Sequence, residues 1–136
     1  MNILIIEQDQ ALAWHLARQI HSQGEYAVDL ATSGEEALKA VLKKQYHLIL
    51  LSIHTKGVSN IEIVAMLRNM SPHAVIAVLS EDQQLHLPSE IGACIDVILD
   101  SHLTDDRVTQ ILSLTGQIYA ALVSLQGLTT YLPTKD

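Results

Sequence analysis

The sequence predicts an α/β fold: one doubly wound domain on a five-stranded parallel sheet, with an irregular fourth helix and an extended fifth. Three observations lead there. Short apolar runs alternate with amphipathic stretches along the whole chain. The runs are apolar on both faces, as strands buried between two helical layers are. The stretches between them are about 10–15 residues long, enough for crossover helices whose right-handed winding leaves few topologies open.

Each element follows in order. Run 3–6 reads as a buried strand, and Asp9 caps a helix on which Leu12, Leu16 and Ile20 recur, closed by Gly24. Run 26–31 is a second strand. Ser33 and Glu36 have capping-box spacing and open a helix facing inward with Ala37, Leu38, Val41 and Leu42. Run 48–53 is the third strand. Ser59 and Glu62 form a second possible box before a helix with Ile61, Val64 and Leu67 inward. Runs 74–79 and 95–99 are the fourth and fifth strands. Between them Pro88 interrupts segment 81–92, so a single turn or an irregular loop is expected there. Thr104 caps the last helix, with Asp105 and Asp106 placed in its first turn to suit the helix dipole.

The bulk numbers bound the function. A chain of 136 residues, 49% hydrophobic and 17% charged, holds one packed domain and is not a disordered composition. The net charge is −7 and no Lys/Arg run occurs, which argues against a direct grip on nucleic-acid phosphates. One cysteine, Cys94, excludes an internal disulfide and reads as an inert buried thiol. No signal-peptide pattern opens the sequence. The apolar runs are of strand length, short of the roughly 20 residues a membrane helix needs. A cytoplasmic protein is expected, without cofactor or membrane contact. Trp14 is expected to be partly buried beside the first helix's core stripe.

The stretches ILIIEQD, HLILLSIHTKGVSNIEIVAMLR, AVIAVLS and GACIDVIL resemble the receiver domains of two-component response regulators, from about Asn2 to Thr115. The resemblance implies a flavodoxin-like fold with its site at the carboxyl ends of the strands. It places an acidic pair at Glu7 and Gln8, the phosphoryl-accepting aspartate at Ser52, and a magnesium-binding carbonyl at His54. It also places a phosphoryl-bonding hydroxyl at Ser80, a switch aromatic at Val97 and a lysine at Asp100. Glu7 and Ser80 keep the side-chain chemistry of that pattern, and His54 still offers a backbone carbonyl, while the nucleophile, second acid, lysine and aromatic are absent.

Those departures predict a degenerate pocket. Phosphoryl transfer to the protein as an acyl phosphate needs a carboxylate nucleophile, and Ser52 has a hydroxyl with no base beside it. Magnesium prefers hard carboxylate oxygens, and Gln8 and Ser52 remove two of them. Asp100 puts a negative charge where a cation would meet phosphoryl oxygens. The expectation is a pseudo-receiver, not an enzyme. Two alternatives stay open: phosphate accepted on another acid such as Asp9, and a pocket that takes a small molecule or metal. His54, His102, Glu7 and Asp100 have the chemistry of zinc ligands but no tight spacing, so they are read as solvated loop residues.

The last helix supplies the expected partner surface. Val108, Ile111, Leu112, Ile118, Tyr119, Leu122 and Leu125 form a stripe that runs to about Gly127, farther than a five-stranded sheet needs for cover. Gly116 costs it about 1 kcal/mol relative to alanine. The stripe predicts pairing with a second copy as a coiled coil, or with another protein. The chain thus divides into a receiver-like domain, 1–115, and a helical extension, 116–136. The polar tail 129–136, with Pro133, reads as the start of a linker to a possible effector domain.

Overall fold

The computed structural model describes residues 1–58, 60–82 and 86–131, with side chains described to residue 125. The strands are β1 (Asn2–Ile6), β2 (Ala27–Ala31), β3 (Leu48–Ser52), β4 (Val75–Ser80) and β5 (Val97–Asp100). They form one parallel sheet in the order β2-β1-β3-β4-β5. The helices are α1 (Gln10–His21), α2 (Gly34–Lys43), α3 (Ile61–Met70), α4 (Ser89–Gly92) and α5 (Asp105–Tyr131).

Strand β3 is buried at every position, and so is β1 from Ile3 onward, because both faces of the sheet are covered. On one face Ile3, Ile5, Leu48 and Leu50 pack with Ala13, Leu16 and Ile20 of α1 and with Val108, Ile111 and Leu112 of α5. On the other, Leu4, Ile6, Ile49 and Leu51 pack with Ala37 and Val41 of α2 and Leu67 of α3. Period-two alternation thus sends neighbouring residues of one strand into different layers.

Local signals explain most helix starts. Asp9 Oδ1 accepts from the N–H groups of Ala11 and Leu12 at 3.0 and 3.3 Å. The Ser33 hydroxyl accepts the Glu36 N–H at 3.2 Å, but Glu36 does not complete the box. Its carboxylate turns one residue further back, to the N–H and hydroxyl of Thr32. Those donors hold the Glu36 carboxyl below its usual range. The expected box at Ser59 is replaced by Asn60, whose Oδ1 accepts the Glu62 N–H at 2.9 Å. Ser59 itself lies outside the described residues. Helix α4 is the single turn that Pro88 predicted.

Several inward assignments were too generous. Leu12, Trp14 and Leu42 are 50%, 57% and 65% exposed, and Ile61 is half-exposed. The sheet covers a narrow arc of each helix: Ala13, Leu16, Ala17 and Ile20 fill it on α1, so Leu12 and Trp14 fall at its margins. Cys94 is half-buried rather than enclosed, with its thiol 3.4 Å from the Glu90 carbonyl. Run length also understated α5. By length and composition its span Asp105–Leu125 is long and apolar enough to cross a membrane, although Ser113, Thr115 and Gln117 break up the run.

An arginine ties the amino ends of β4 and β5 to α3. Arg68 donates to the carbonyls of Ala74 (2.9 Å), Pro72 (3.2 Å), Ser71 (3.4 Å) and Cys94 (3.1 Å), and to Asp96 Oδ2 at 2.6 Å. That carboxylate oxygen also accepts the Ile76 N–H at 2.8 Å. A planar guanidinium suits this, because its donors point several ways at once.

Candidate functional site

Strands β1, β3 and β4 end together above α1, and a cavity of about 330 Å³ opens there. Its floor is apolar, from Ile5, Leu16, Leu79 and Leu103; its rim carries Glu7, Gln8, Asp9, Ser52, His54, Glu81 and His102. Among the described residues no lysine or arginine lines it. The end of a parallel sheet is where a doubly wound fold places ligands.

Four of the residues expected in the pocket are brought together here: Glu7, Gln8, Ser52 and His54. Ser52 is buried at the last position of β3. Glu7 and Gln8 follow β1 and are held by Thr55. The Thr55 hydroxyl sits 3.2 Å from Glu7 Oε2 and accepts the Gln8 N–H at 3.2 Å. Gln8 Oε1 in turn accepts the Lys56 N–H at 3.3 Å.

The other three do not line the cavity. Ser80 is buried, and its hydroxyl is occupied by its own loop: it accepts the Asp82 N–H at 3.0 Å and lies 3.2 Å from the Asp82 carbonyl. Asp100 caps the turn after β5, its Oδ1 accepting the His102 N–H at 2.8 Å. Val97 is half-buried at the start of β5, against the core shared with α1 and α5. Among the described residues no group of three or more His, Cys, Asp or Glu side chains is placed to hold a metal. His102 Nε2 lies 3.6 Å from Glu81 Oε1, and both side chains are exposed.

The loop after β3 is fixed by a close approach of two backbones. Gly57 has φ +90° and lies against the first residue of α2, where the Gly34 N–H donates to the Lys56 carbonyl at 2.8 Å. A methyl group at Gly34 would meet the Gly57 carbonyl carbon at 3.0 Å. Both positions need glycine, one for space and one for its dihedral.

Sequence reasoning missed Thr55, Glu81 and Ser101 as parts of this end of the sheet. Ser101 lines the cavity, and its Oγ is buried with no hydrogen-bond partner among the described residues. None of the three belongs to a spacing motif; only the fold brings them in.

The opposite end of the sheet carries a second concave surface. A groove of about 140 Å³ runs between α5 and the segments before β3 and β4, lined by Tyr46, His47, His73, Ile118, Tyr119 and Leu122. The Tyr119 and His47 rings meet edge to face, 4.5 Å apart at 88°. His47 Nδ1 accepts the Asn2 N–H at 2.9 Å, so that nitrogen carries no proton. Burial, then the chain's amino group, push the His47 pKa down. Nearby, Asp29 Oδ2 accepts from the Tyr46 hydroxyl (2.7 Å) and Lys44 Nζ (3.0 Å). The tyrosine bond is the first cause of the lowered Asp29 pKa.

The stripe expected to face a partner divides on this framework. Val108, Ile111 and Leu112 are buried in the chain's own core and cannot meet another protein. Tyr119 and Leu122 line the groove against the sheet. Ile118, which lines the same groove, and Tyr119 are also partly open to solvent, and Leu125 is exposed.

A 2-1-3-4-5 parallel sheet, with β1 and β3 ending at a shared cavity, is the flavodoxin-like fold that receiver domains have. The model of the response regulator receiver domain matches residues 3–104, and the chain belongs to that family. It is a receiver domain of the kind used in two-component signalling, a class of signalling rather than enzymatic domains. The uncharacterized transcriptional regulatory protein YkoG of Bacillus subtilis is 26% identical over 121 residues, covering 89% of this chain and 50% of YkoG. The transcriptional regulatory protein ResD of the same organism is 27% identical over 81 residues, covering 60% of this chain and 34% of ResD. The chain thus spans half or less of the length of these curated relatives. The N-terminal domain of a response regulator/sensory box/GGDEF protein from Carboxydothermus hydrogenoformans has the same fold, with TM-score 0.76 and 22% identity over 90% of this chain and 99% of that one.

Proposed function

We propose that this receiver works without phosphoryl transfer, as a pseudo-receiver that regulates by protein–protein contact in bacterial-type signal transduction or transcription control. The observation that carries the reading is the end of β3. Ser52 occupies the buried terminal position, a hydroxyl where phosphoryl acceptance needs a carboxylate. Glu7 is tied to Thr55, Asp9 is spent capping α1, and Ser80 is bonded within its own loop. Asp100 brings a further negative charge to this end of the sheet, against an incoming phosphate.

On this reading the degenerate pocket comprises Glu7, Gln8, Ser52 and His54 at the cavity, with Ser80, Val97 and Asp100 as the remaining positions of the family's pattern outside its lining. Contact is made through α5, with another protein or a second copy, in the cytoplasm. Residues 1–115 are the receiver unit; residues 116–136 lead toward an effector domain, consistent with relatives of greater length. State would follow partner binding or concentration, since a ligand shifts an equilibrium only by its differential affinity. Incubation with acetyl phosphate and magnesium, read by intact mass, tests this. No added phosphoryl group is expected; one stoichiometric, magnesium-dependent addition overturns it.

The cavity favours a second reading, a pocket for a small molecule in place of phosphate. Its volume is at the lower end for ligand sites, and its floor is apolar with polar groups at the rim. Thermal shift across a metabolite panel tests it. A ligand that raises Tm for the wild type but not for Leu16→Trp, which fills the cavity, supports it; no shift from any compound ends it.

A further inference from the structure

We infer that the cavity at the carboxyl end of the sheet is a site for a small organic cation, a primary amine on an aryl or short alkyl body, with Glu7 receiving the ammonium group. The inference rests on the reading of the cavity as a small-molecule pocket and names the chemical class that the pocket takes.

Volume and floor set the body of the ligand. A space of about 330 Å³ holds roughly ten non-hydrogen atoms, at the roughly 30 Å³ that one water occupies in the liquid. Ile5, Leu16, Leu79 and Leu103 make the floor apolar, so a hydrated inorganic ion has no partner below the rim. A ring or a short chain covers that floor and removes it from water.

Charge sets the head group. Glu7, Asp9 and Glu81 line the cavity, and among the described residues no lysine or arginine does; the bases there are the imidazoles of His15, His54 and His102. An anion would face three carboxylates without a guanidinium or ammonium group to answer it, whereas an organic ammonium finds a charged acceptor. The three carboxylates are not equivalent. Asp9 caps α1 through Oδ1, and Glu81 is exposed beside His102. Glu7 is half-buried, and Thr55 engages only its Oε2, which leaves Oε1 without a hydrogen bond among the described residues. A carboxylate partly shielded from water attracts a cation more strongly than one in open solvent. A metal ion fits less well, because among the described residues no three His, Cys, Asp or Glu side chains converge.

Two hydroxyls on the lining are left unmet by the fold. Ser52 is 7% exposed, and its Oγ makes no hydrogen bond among the described residues. Ser101 Oγ is buried and likewise unpartnered. Buried polar atoms are satisfied in the great majority of cases, so both hydroxyls point to a partner from outside the chain. An ammonium group, with three donors and no acceptor, suits a set of carboxylate and hydroxyl oxygens.

Three probes of one shape separate charge from body: 2-phenylethylamine, 2-phenylethanol and phenylacetate. Calorimetry of the full chain at pH 8 and low salt should show the amine binding at one site at least tenfold more tightly than the alcohol, and the acid not at all. Glu7→Gln should weaken the amine at least tenfold. Glu35→Gln removes the same charge from the first turn of α2, away from the cavity, and should weaken it less than twofold; this sets apart general attraction to a chain of net charge −7. Both variants should keep the wild-type circular dichroism; if Glu7→Gln does not fold, the ranking of the three probes on the wild type still decides. Equal loss in the two variants, or tighter binding of the acid, overturns the inference. An alcohol that binds as well as the amine also overturns it, yet leaves the small-molecule reading standing. No heat from any probe ends the cation assignment, and the thermal-shift panel then judges the pocket on its own.

Discussion

The two ends of the sheet carry different surfaces: a cavity with a polar rim at the carboxyl end and a narrower groove under α5 at the amino end. At the carboxyl end a cavity opens above β1 and β3, and on the proposed reading Ser52, Gln8 and Asp100 leave it without phosphoryl chemistry. At the amino end, α5 runs past the sheet and brings Tyr119 against His47. Backbone geometry is held by strands and glycines, which tolerate changes in rim side chains. Exposed helix faces are constrained by little except what binds them. On the proposed reading the domain keeps its fold without phosphoryl chemistry in the pocket and makes its contacts through α5 instead.

The strongest way to break this comparison is to restore the pocket. The triple substitution Ser52→Asp, Gln8→Asp and Asp100→Lys should take labelling by acetyl phosphate from none to a measurable magnesium-dependent fraction by intact mass. If the triple variant folds and stays unlabelled, more than these three side chains separates the cavity from a working one.

The amino end should be the costlier to disturb in stability. Arg68→Met removes a charged donor from four carbonyls and Asp96 and should cost about 2–4 kcal/mol in urea unfolding. Gly57→Ala probes the carboxyl end, forcing a side chain onto a φ of +90° beside Gly34; a cost of about 1–3 kcal/mol is expected in the same assay. A larger loss from Gly57→Ala than from Arg68→Met would reverse the order of the two ends.

The smallest effect is a pH dependence at the α5 groove. The His47 pKa is depressed in the folded chain, so between that value and about 6.5 the unfolded chain binds more protons. The contribution of neutral His47 is complete above about pH 6.5 and declines as pH falls toward the folded value. His47→Phe keeps a ring against Tyr119 and removes the titration. Its unfolding free energy should vary less between pH 7 and pH 5 than that of the wild type; an identical slope would remove His47 from the account.

Much of the fold was legible because burial on two faces writes itself as continuous apolar runs, and because Asp9, Ser33 and Pro88 have local consequences. Arc width was not legible: periodicity located the inner face of α1 but not its limits, and Leu12 and Trp14 fell outside. The resemblance aligned Ser52, Glu7, Gln8 and His54 with one site, but the bonding of Ser80 to its own loop required coordinates. On α5 buried and exposed apolar positions interleave. A single list of apolar residues, running from Val108 to Leu125, merged a core face with an exposed one.

The contact between Gly34 and Gly57 carries a consequence for timing. With no side chain between the two backbones and a hydrogen bond from the Gly34 amide to the Lys56 carbonyl, neither segment has slack to absorb movement of the other. The loop after Ser52 and the first turn of α2 should relax as one body, so that amide exchange at Gly34 and Asn60 shares a single opening rate. A disturbance felt at the end of β3 would then arrive on the α2 face of the domain without delay, whether or not phosphate is what causes it.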